Sequence, residues 1–310
     1  MTISKAKFVA LETARAILFP RPELRILFSA NQDNEQTIRS GFRLFHHHIE
    51  FGAFTPENIS KNDLLIPLHI ADVRALLKYP QLTKNKLIPI PGLETVNICD
   101  DKYLFSETLI QKGFKHLLPA IADDLPLPFM LKKKVAAGSE NCYLISNTEE
   151  RLKYKELIKS PDYFCQEIIE GTDEYCTHIL FKDHKIVASI TIKYNYHNGI
   201  TNNIKSDYSL FYKSICKSPH LDTFTSILNA IDYEGLCNFD YKMQNGELKI
   251  FEINPRFGGS LSRYFFTFLR QLKKETSKIA NSTTLAKASE DIAPSGSDFR
   301  VTKNNHISVE

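Results

Sequence analysis

The chain has almost no charge imbalance: 39 Lys and Arg stand against 36 Asp and Glu, a net charge of +3. That is too small to argue for nucleic acid or an anionic membrane as a partner. It also lacks any C-x-x-C pair. Its six cysteines (Cys99, Cys142, Cys165, Cys176, Cys216, Cys237) are widely spaced, which suits reduced, buried thiols better than a zinc site or a disulfide framework. No apolar run approaches the roughly 20 residues of a membrane span. The stretch 8–19 is broken by Glu12 and Arg15, so it reads as an amphipathic helix over the first domain and not as a signal-peptide core. There is no internal repeat. A soluble, cytoplasmic protein is expected.

What is present suits a globular chain of 310 residues, 43% hydrophobic and 24% charged, long enough to bury two or three modest cores. After the punctuation Pro20-Arg21-Pro22, residues 24–30 and 63–68 read as short buried strands, and 37–45 and 73–77 as helices. This alternation predicts a small α/β layer with a parallel sheet over about 22–98. From Cys99 the character changes. Residues 100–113 read as a helix that opens on acids and stops at glycine. Strands follow at 129–132, 143–145, 164–169, 177–181 and 185–192, a helix at 224–231, and a strand pair at 237–243 and 248–253. That order predicts an α+β region with antiparallel hairpins. Beyond about Lys273 the sequence is rich in Ser, Thr, Lys and Asn without a period, and a disordered tail over 273–310 is expected.

The strongest signal for chemistry lies in 237–256, CNFDYKMQNGELKIFEINPR. Two apolar-alternating runs flank Gln244-Asn245-Gly246, a hairpin signature. The period of two places Ile250, Glu252 and Asn254 on one face, and a carboxylate with a carboxamide offers the hard oxygen ligands magnesium prefers. A two-residue Asn-Gly turn would pair position 240 with 251 and turn Asp240 away from Glu252. A three-residue loop pairs 240 with 250 and brings Asp240 to the shared face, so the three-residue loop is expected. Acids on a hairpin are commonly just a solvated face. Here they end an apolar strand and precede Pro255, Arg256 and two glycines, a common way to build a phosphate site.

The segment EINPRFGGS (252–260) resembles the closing motif of ATP-grasp ligases, especially the carbamoyl-phosphate-synthase-like branch. Three further segments agree in order: Asp101-Lys102 opening a helix, Pro128-Phe129-Met130-Leu131-Lys132 as a strand, and 166–175, QEIIEGTDEY, as a hinge strand with its turn. The resemblance covers about 22–270. It implies a small Rossmann-like pre-ATP-grasp domain (1–98), then an ATP-grasp fold of two α+β subdomains clamping a nucleotide (99–272). It further implies that Lys132 and Lys102 neutralise ATP phosphates, although as isolated residues both are exposed lysines. The loop at Gly138-Ser139 would close over the phosphates, backbone groups of Glu167, Ile168 and Ile169 would hold the adenine edge, and Glu174 would accept from the ribose. Asp240, Glu252 and Asn254 would hold Mg2+, or Mn2+ in its place. Many relatives carry Gln or Glu where Asp240 stands. Arg256, with Lys132, would stabilise the transferred phosphoryl group, so that positioning and electrostatics carry catalysis. No Ser/His/Asp or Cys/His nucleophile is needed, and none is evident.

The implied activity is ATP-dependent joining of a small carboxylate to an amine through an acyl phosphate, releasing ADP and phosphate. A phosphotransferase and a non-catalytic nucleotide-binding subunit are the alternatives; relatives commonly form dimers, so the resemblance is compatible with a homodimer, while the sequence itself does not set the oligomeric state. His46-His47-His48 invites a metal reading, but three consecutive side chains cannot face one ion on regular structure, so a polar loop or helix end is expected. Lys193 and His197, in the segment 193–199, are candidates for substrate contact or equally for solvated loop residues.

Overall fold

The apolar alternation folds into three sheets in the computed structural model, which describes residues 2–3, 5–18, 23–30, 32–84, 86–136, 141–196 and 210–272. Gly138, Ser139, His197 and the tail 273–310 lie outside the described residues. The first elements are β1 (Thr2–Ile3), α1 (Lys5–Leu18), β2 (Arg25–Phe28), α2 (Gln32–Phe42), β3 (His48–Phe51), α3 (Pro56–Lys61), β4 (Leu64–Ile66), α4 (Ile70–Leu76), α5 (Pro80–Thr83) and α6 (Leu93–Asp100). Strands β3-β2-β4 form the parallel sheet expected of the N-terminal region. All three residues of β4 are buried, as a strand covered on both faces requires.

In the histidine run, His46 and His47 lie in the loop after α2, as expected, and His48 opens β3. His47 Nδ1 accepts from the Leu24 N–H at 3.2 Å, and His48 Nε2 lies 2.9 Å from Glu50 Oε1. Helix α2 begins five residues before the expected 37, with Asp33 and Glu35 complementing its N-terminal dipole.

The second half contains α7 (Lys102–Gln111), β5 (Phe129–Lys133), β6 (Cys142–Ile145), α8 (Thr148–Lys153), α9 (Lys155–Ile158), β7 (Tyr163–Glu167), β8 (Asp173–Lys182), β9 (Lys185–Tyr196), β10 (Leu210–Cys216), α10 (Leu221–Ala230), β11 (Gly235–Gln244) and β12 (Glu247–Asn254). One antiparallel sheet has the order β6-β5-β7, and the other β1-β10-β9-β8-β11-β12. Helix α10 lies on one face of the larger sheet. Phe224, Ile227 and Leu228 recur at helical spacing and bury against Ile179, Phe181, Phe239 and Tyr241. Phe224 stacks on Phe239 at 4.2 Å. Each such fully buried large apolar side chain contributes about 1.5–3 kcal/mol.

The β11–β12 hairpin departs from expectation in its turn but reaches the expected juxtaposition by another device. The loop has two residues, not three: Gln244 pairs with Glu247, and Asn245 and Gly246 adopt φ of 52° and 83°. Two left-handed residues make the turn type whose twist matches the strands. That register alone would oppose 240 and 251. Instead the ladder shifts between Asp240 and Tyr241, so that Tyr241 pairs with Ile250 while Asp240 pairs with Glu252. Phe251 is the extra residue of a β-bulge, which reverses the alternation. Leu248 and Ile250 therefore join Ile253 in the core, and Ile250 does not share the face of Glu252 as its spacing suggested.

Candidate active site

The other face of the six-stranded sheet carries the polar half of each alternation. On β8, Tyr175, Thr177, Ile179 and Phe181 turn to one side and Glu174, Cys176 and His178 to the other. On β11, Asn238 and Asp240 share that second face, and register sets Asn238 beside His178 and Asp240 beside Cys176. Glu252 and Asn254 of β12 continue the row. With Tyr194, Tyr196, Arg256 and the turn 258–260 these residues line a cleft of 280 Å3.

Two cations beside Glu252 and Phe251 come from the start of α7 and from β5. Asp101 caps α7, accepting from the Tyr103 and Leu104 N–H groups, which places Lys102 at the helix opening. Far from being an exposed lysine, Lys102 is 9% exposed, and its ammonium lies 3.3 Å from Glu252 Oε2 while donating to the Ala136 carbonyl at 2.8 Å. Lys132 is also buried, donates to Gln166 Oε1 at 2.7 Å, and sits 5.4 Å above the Phe251 ring. Burial lowers the Lys132 pKa. The bulge residue thus supplies an apolar face to a cation at the edge of the site.

Asp240 and Glu252 stand opposite each other across the strands, so the charge of each bears on the other. Burial pushes Asp240 upward, and the neighbouring Glu252 charge adds to it. Burial also pushes Glu252 upward, but Lys102, Lys132 and the Asn254 amide outweigh it and hold its carboxyl below the usual range. Asn254 Nδ2 donates to Asp240 Oδ2 at 2.9 Å and to Glu252 Oε1 at 3.1 Å, while Arg256 Nη2 donates to Asn254 Oδ1 at 3.3 Å. An amide N–H between two carboxylates takes the place a cation would otherwise take. Among the described residues no group of three or more His, Cys, Asp or Glu side chains could hold a metal ion. Two carboxylates and an amide nevertheless fit Mg2+, which commonly takes one or two carboxylates and fills its shell with water and substrate phosphates.

Glu174 is 8% exposed, its Oε2 has no hydrogen-bond partner, and burial raises its pKa to about 7 against the pull of Lys242 and Lys132. A buried acceptor left open inside a cleft is suited to a ligand hydroxyl. At the hinge, the Glu167 N–H already donates to the Ala120 carbonyl at 2.8 Å, and the Ile169 carbonyl accepts from Lys242. Any base held there meets the remaining backbone groups of 167–169. Lys193 does not belong to the cleft. It alternates with Tyr194, pairs with Asp173 Oδ2 at 2.6 Å, and is not brought to the other site residues.

Several cleft residues escaped the sequence reading. His178 is fully buried, with Nε2 2.7 Å from Ser260 Oγ and 3.5 Å from Cys176 Sγ. Their contact resembles a nucleophile arrangement, contrary to expectation, yet its electrostatics oppose thiolate formation. Burial, and then Arg256, lowers His178 to about 3; burial raises the Cys176 thiol well above its ordinary value; and His178 Nδ1 has no partner to orient it. The signal was available in D-E-Y-C-T-H, where Glu174, Cys176 and His178 fall on alternate positions of one strand face, but a strand begun at 177 hides it. All six cysteines are free.

No protein-family model matches the chain. The fold is that of D-alanine–D-alanine ligase from Bacillus anthracis, with a TM-score of 0.58 at 13% identity over 85% of this chain and 100% of that one. N5-carboxyaminoimidazole synthetase from Staphylococcus aureus, solved with ADP, gives a TM-score of 0.53 at 15% identity over 78% and 73%. These likenesses show an ATP-grasp fold. Among curated proteins, the C-terminal section of the carbamoyl phosphate synthase large chain from Aquifex aeolicus is 21% identical over 264 residues, 79% of this chain. This chain spans only 45% of that relative's length. The resemblance carried by the four motifs is borne out.

Proposed function

We propose that the chain is an ATP-dependent carboxylate–amine ligase. The observation that carries this reading is the meeting of Asp240 and Glu252 across the hairpin, with Lys102 3.3 Å from Glu252, in a cleft of an ATP-grasp fold. In this reading 1–98 is the pre-ATP-grasp domain and 99–272 the nucleotide clamp. Bound Mg2+ would neutralise the ATP phosphates and polarise the γ-phosphoryl group.

This chain's own residues do the rest. Asp240, Glu252 and Asn254 would hold the cation. Lys102 and Lys132 balance phosphate charge, and their low exposure strengthens each interaction. Backbone groups between Glu167 and Ile169 meet the base, and the open oxygen of Glu174 accepts from the ribose. Arg256, held by the Asn254 side chain and the Phe257 carbonyl, stays fixed beside the transferred phosphoryl group and then the tetrahedral intermediate. The cleft residues keep water from the acyl phosphate until the amine attacks.

The test is ADP and phosphate release measured against a panel of small carboxylates and amines with Mg2+. Turnover that needs both substrates supports the ligase. A phosphorylated product formed without amine would replace it with a phosphotransferase, and ATP bound but never consumed would remove both enzyme readings.

A further inference from the structure

One buried cation beside the cleft has no part in the chemistry above. Lys242, two residues beyond Asp240 on β11, is 0% exposed. Its ammonium donates to the carbonyls of Ile169 at 3.3 Å and Gly171 at 3.0 Å. It forms no ion pair among the described residues, although Glu174 lies opposite it in the β8–β11 register. On its other side it pairs with Lys249, whose ammonium turns to the His116 carbonyl at 2.9 Å. Like charges directly opposite in a sheet destabilise it, and a buried ammonium carries a desolvation cost that an apolar side chain of similar volume avoids. Stability alone would favour Met or Leu here, so the position calls for a role in binding or catalysis.

The two carbonyls identify that role. They belong to the turn that leads from β7 into β8, where Gly171 adopts a φ of +127° that only glycine takes readily. The upstream end of the same segment is already pinned: the Glu167 N–H donates to the Ala120 carbonyl, and the Ala120 N–H to Glu167 Oε2, both at 2.8 Å. Lys242 secures the downstream end. A short backbone segment tied at both ends offers its remaining N–H and C=O groups in one arrangement, which lowers the ordering cost of ligand binding.

We propose that Lys242 is a positioning residue for the nucleotide hinge, its ammonium tying the Ile169 and Gly171 carbonyls together and so fixing the backbone against which the base lies. This rests on the nucleotide-binding reading of 167–169. Lys242 touches no reacting atom, so its removal acts on nucleotide affinity and not on the chemical step.

The test uses the full chain with K242M and K242R, measuring ATP affinity by titration calorimetry with Mg2+, since the chain has no tryptophan to report binding. K242M is expected to weaken ATP binding about tenfold or more, the effect of losing a charge-assisted pair of hydrogen bonds. With an active substrate pair, KM for ATP rises while kcat at saturating ATP stays within about threefold. K242R, which keeps donors and charge, is expected to recover most of the affinity. A merely structural strut would instead lower the active fraction and the melting temperature and leave KM unchanged. A folded K242M with wild-type ATP affinity overturns the proposal, as does a fall in kcat with unchanged KM. Should K242M fail to fold, K242Q carries the same test: an intermediate affinity supports the proposal, and wild-type affinity overturns it. If the wild-type chain binds no adenine nucleotide, the nucleotide reading itself falls; if wild type and K242M bind equally, only the role of Lys242 does.

Discussion

Glu252 joins the two halves of the proposed site, since it stands opposite Asp240 in the β11–β12 register and its Oε2 lies 3.3 Å from the Lys102 ammonium. Glu252→Gln keeps the shape and removes the charge. Turnover should fall at least about a hundredfold, with the circular-dichroism spectrum retained; full activity would discard the metal assignment. The neighbouring glycines make a sharper contrast. A Cβ on Gly258 would stand 2.4 Å from His178 Cε1 and 2.6 Å from Asn238 Oδ1, whereas one on Gly259 would meet only the Asn34 side chain, nearest at 3.3 Å. G258A should therefore disable turnover while G259A retains most of it, as parallel assays of the two variants would show. His178 provides a pH signature. Its pKa is about 3 in the folded chain against an ordinary 6.5, chiefly because of burial, so the neutral ring is the native form. Its contribution to stability is complete above pH 6.5 and declines as pH falls from 6.5 toward 3, by up to about 1.4 kcal/mol per pH unit. The stability advantage of wild type over H178Q should accordingly shrink on acidification through that window, as measured by urea unfolding at several pH values.

At the scale of elements, the hairpin separates what a sequence can reveal from what it cannot. The strands of β11 and β12 were legible from their alternation, and so was the partnership of Asp240, Glu252 and Asn254. The turn was inferred backwards from that partnership, and the inference failed because a regular ladder was assumed. A bulge has no strong local code. Phe251 looks like any other strand aromatic until Lys132 is found beside its ring, a contact between segments about 120 residues apart. His178, Cys176 and Ser260 were hidden in the same way, since their contact depends on β8 lying next to β11. Gly246 tests the turn itself. Its φ is 83° and nothing lies within 4 Å of an added Cβ, so G246A bears a conformational cost alone, about 1–2 kcal/mol. A lower melting temperature with unchanged KM for ATP is the expected result.

For the whole molecule, the change from a parallel sheet to antiparallel strands was readable from the switch in pattern near Cys99, whereas the division of those strands into two sheets was implied only by the family resemblance. The long β8 and β9 pair was only partly readable, because residues facing the cleft, Glu174, His178, Tyr194 and Tyr196 among them, interrupt the apolar code there. Those interruptions mark the proposed binding face, so ligand should report on the whole fold. ADP with Mg2+ at about a hundred times its dissociation constant should add about 2.7 kcal/mol to stability. A thermal-shift titration checks this, and an unmoved melting temperature would count against a nucleotide site. No helix among the described residues is long and apolar enough to cross a membrane.

The bulge at Phe251 also sets the two ladders of the hairpin in different phase. The site side keeps its phase from the ladder around Asp240 and Glu252, while the turn at Asn245 and Gly246 lies beyond the break. That tip is a natural port for protein engineering. A peptide tag or a small inserted domain placed between Asn245 and Gly246 would ride on the distal ladder, leaving the carboxylate pair in its own register.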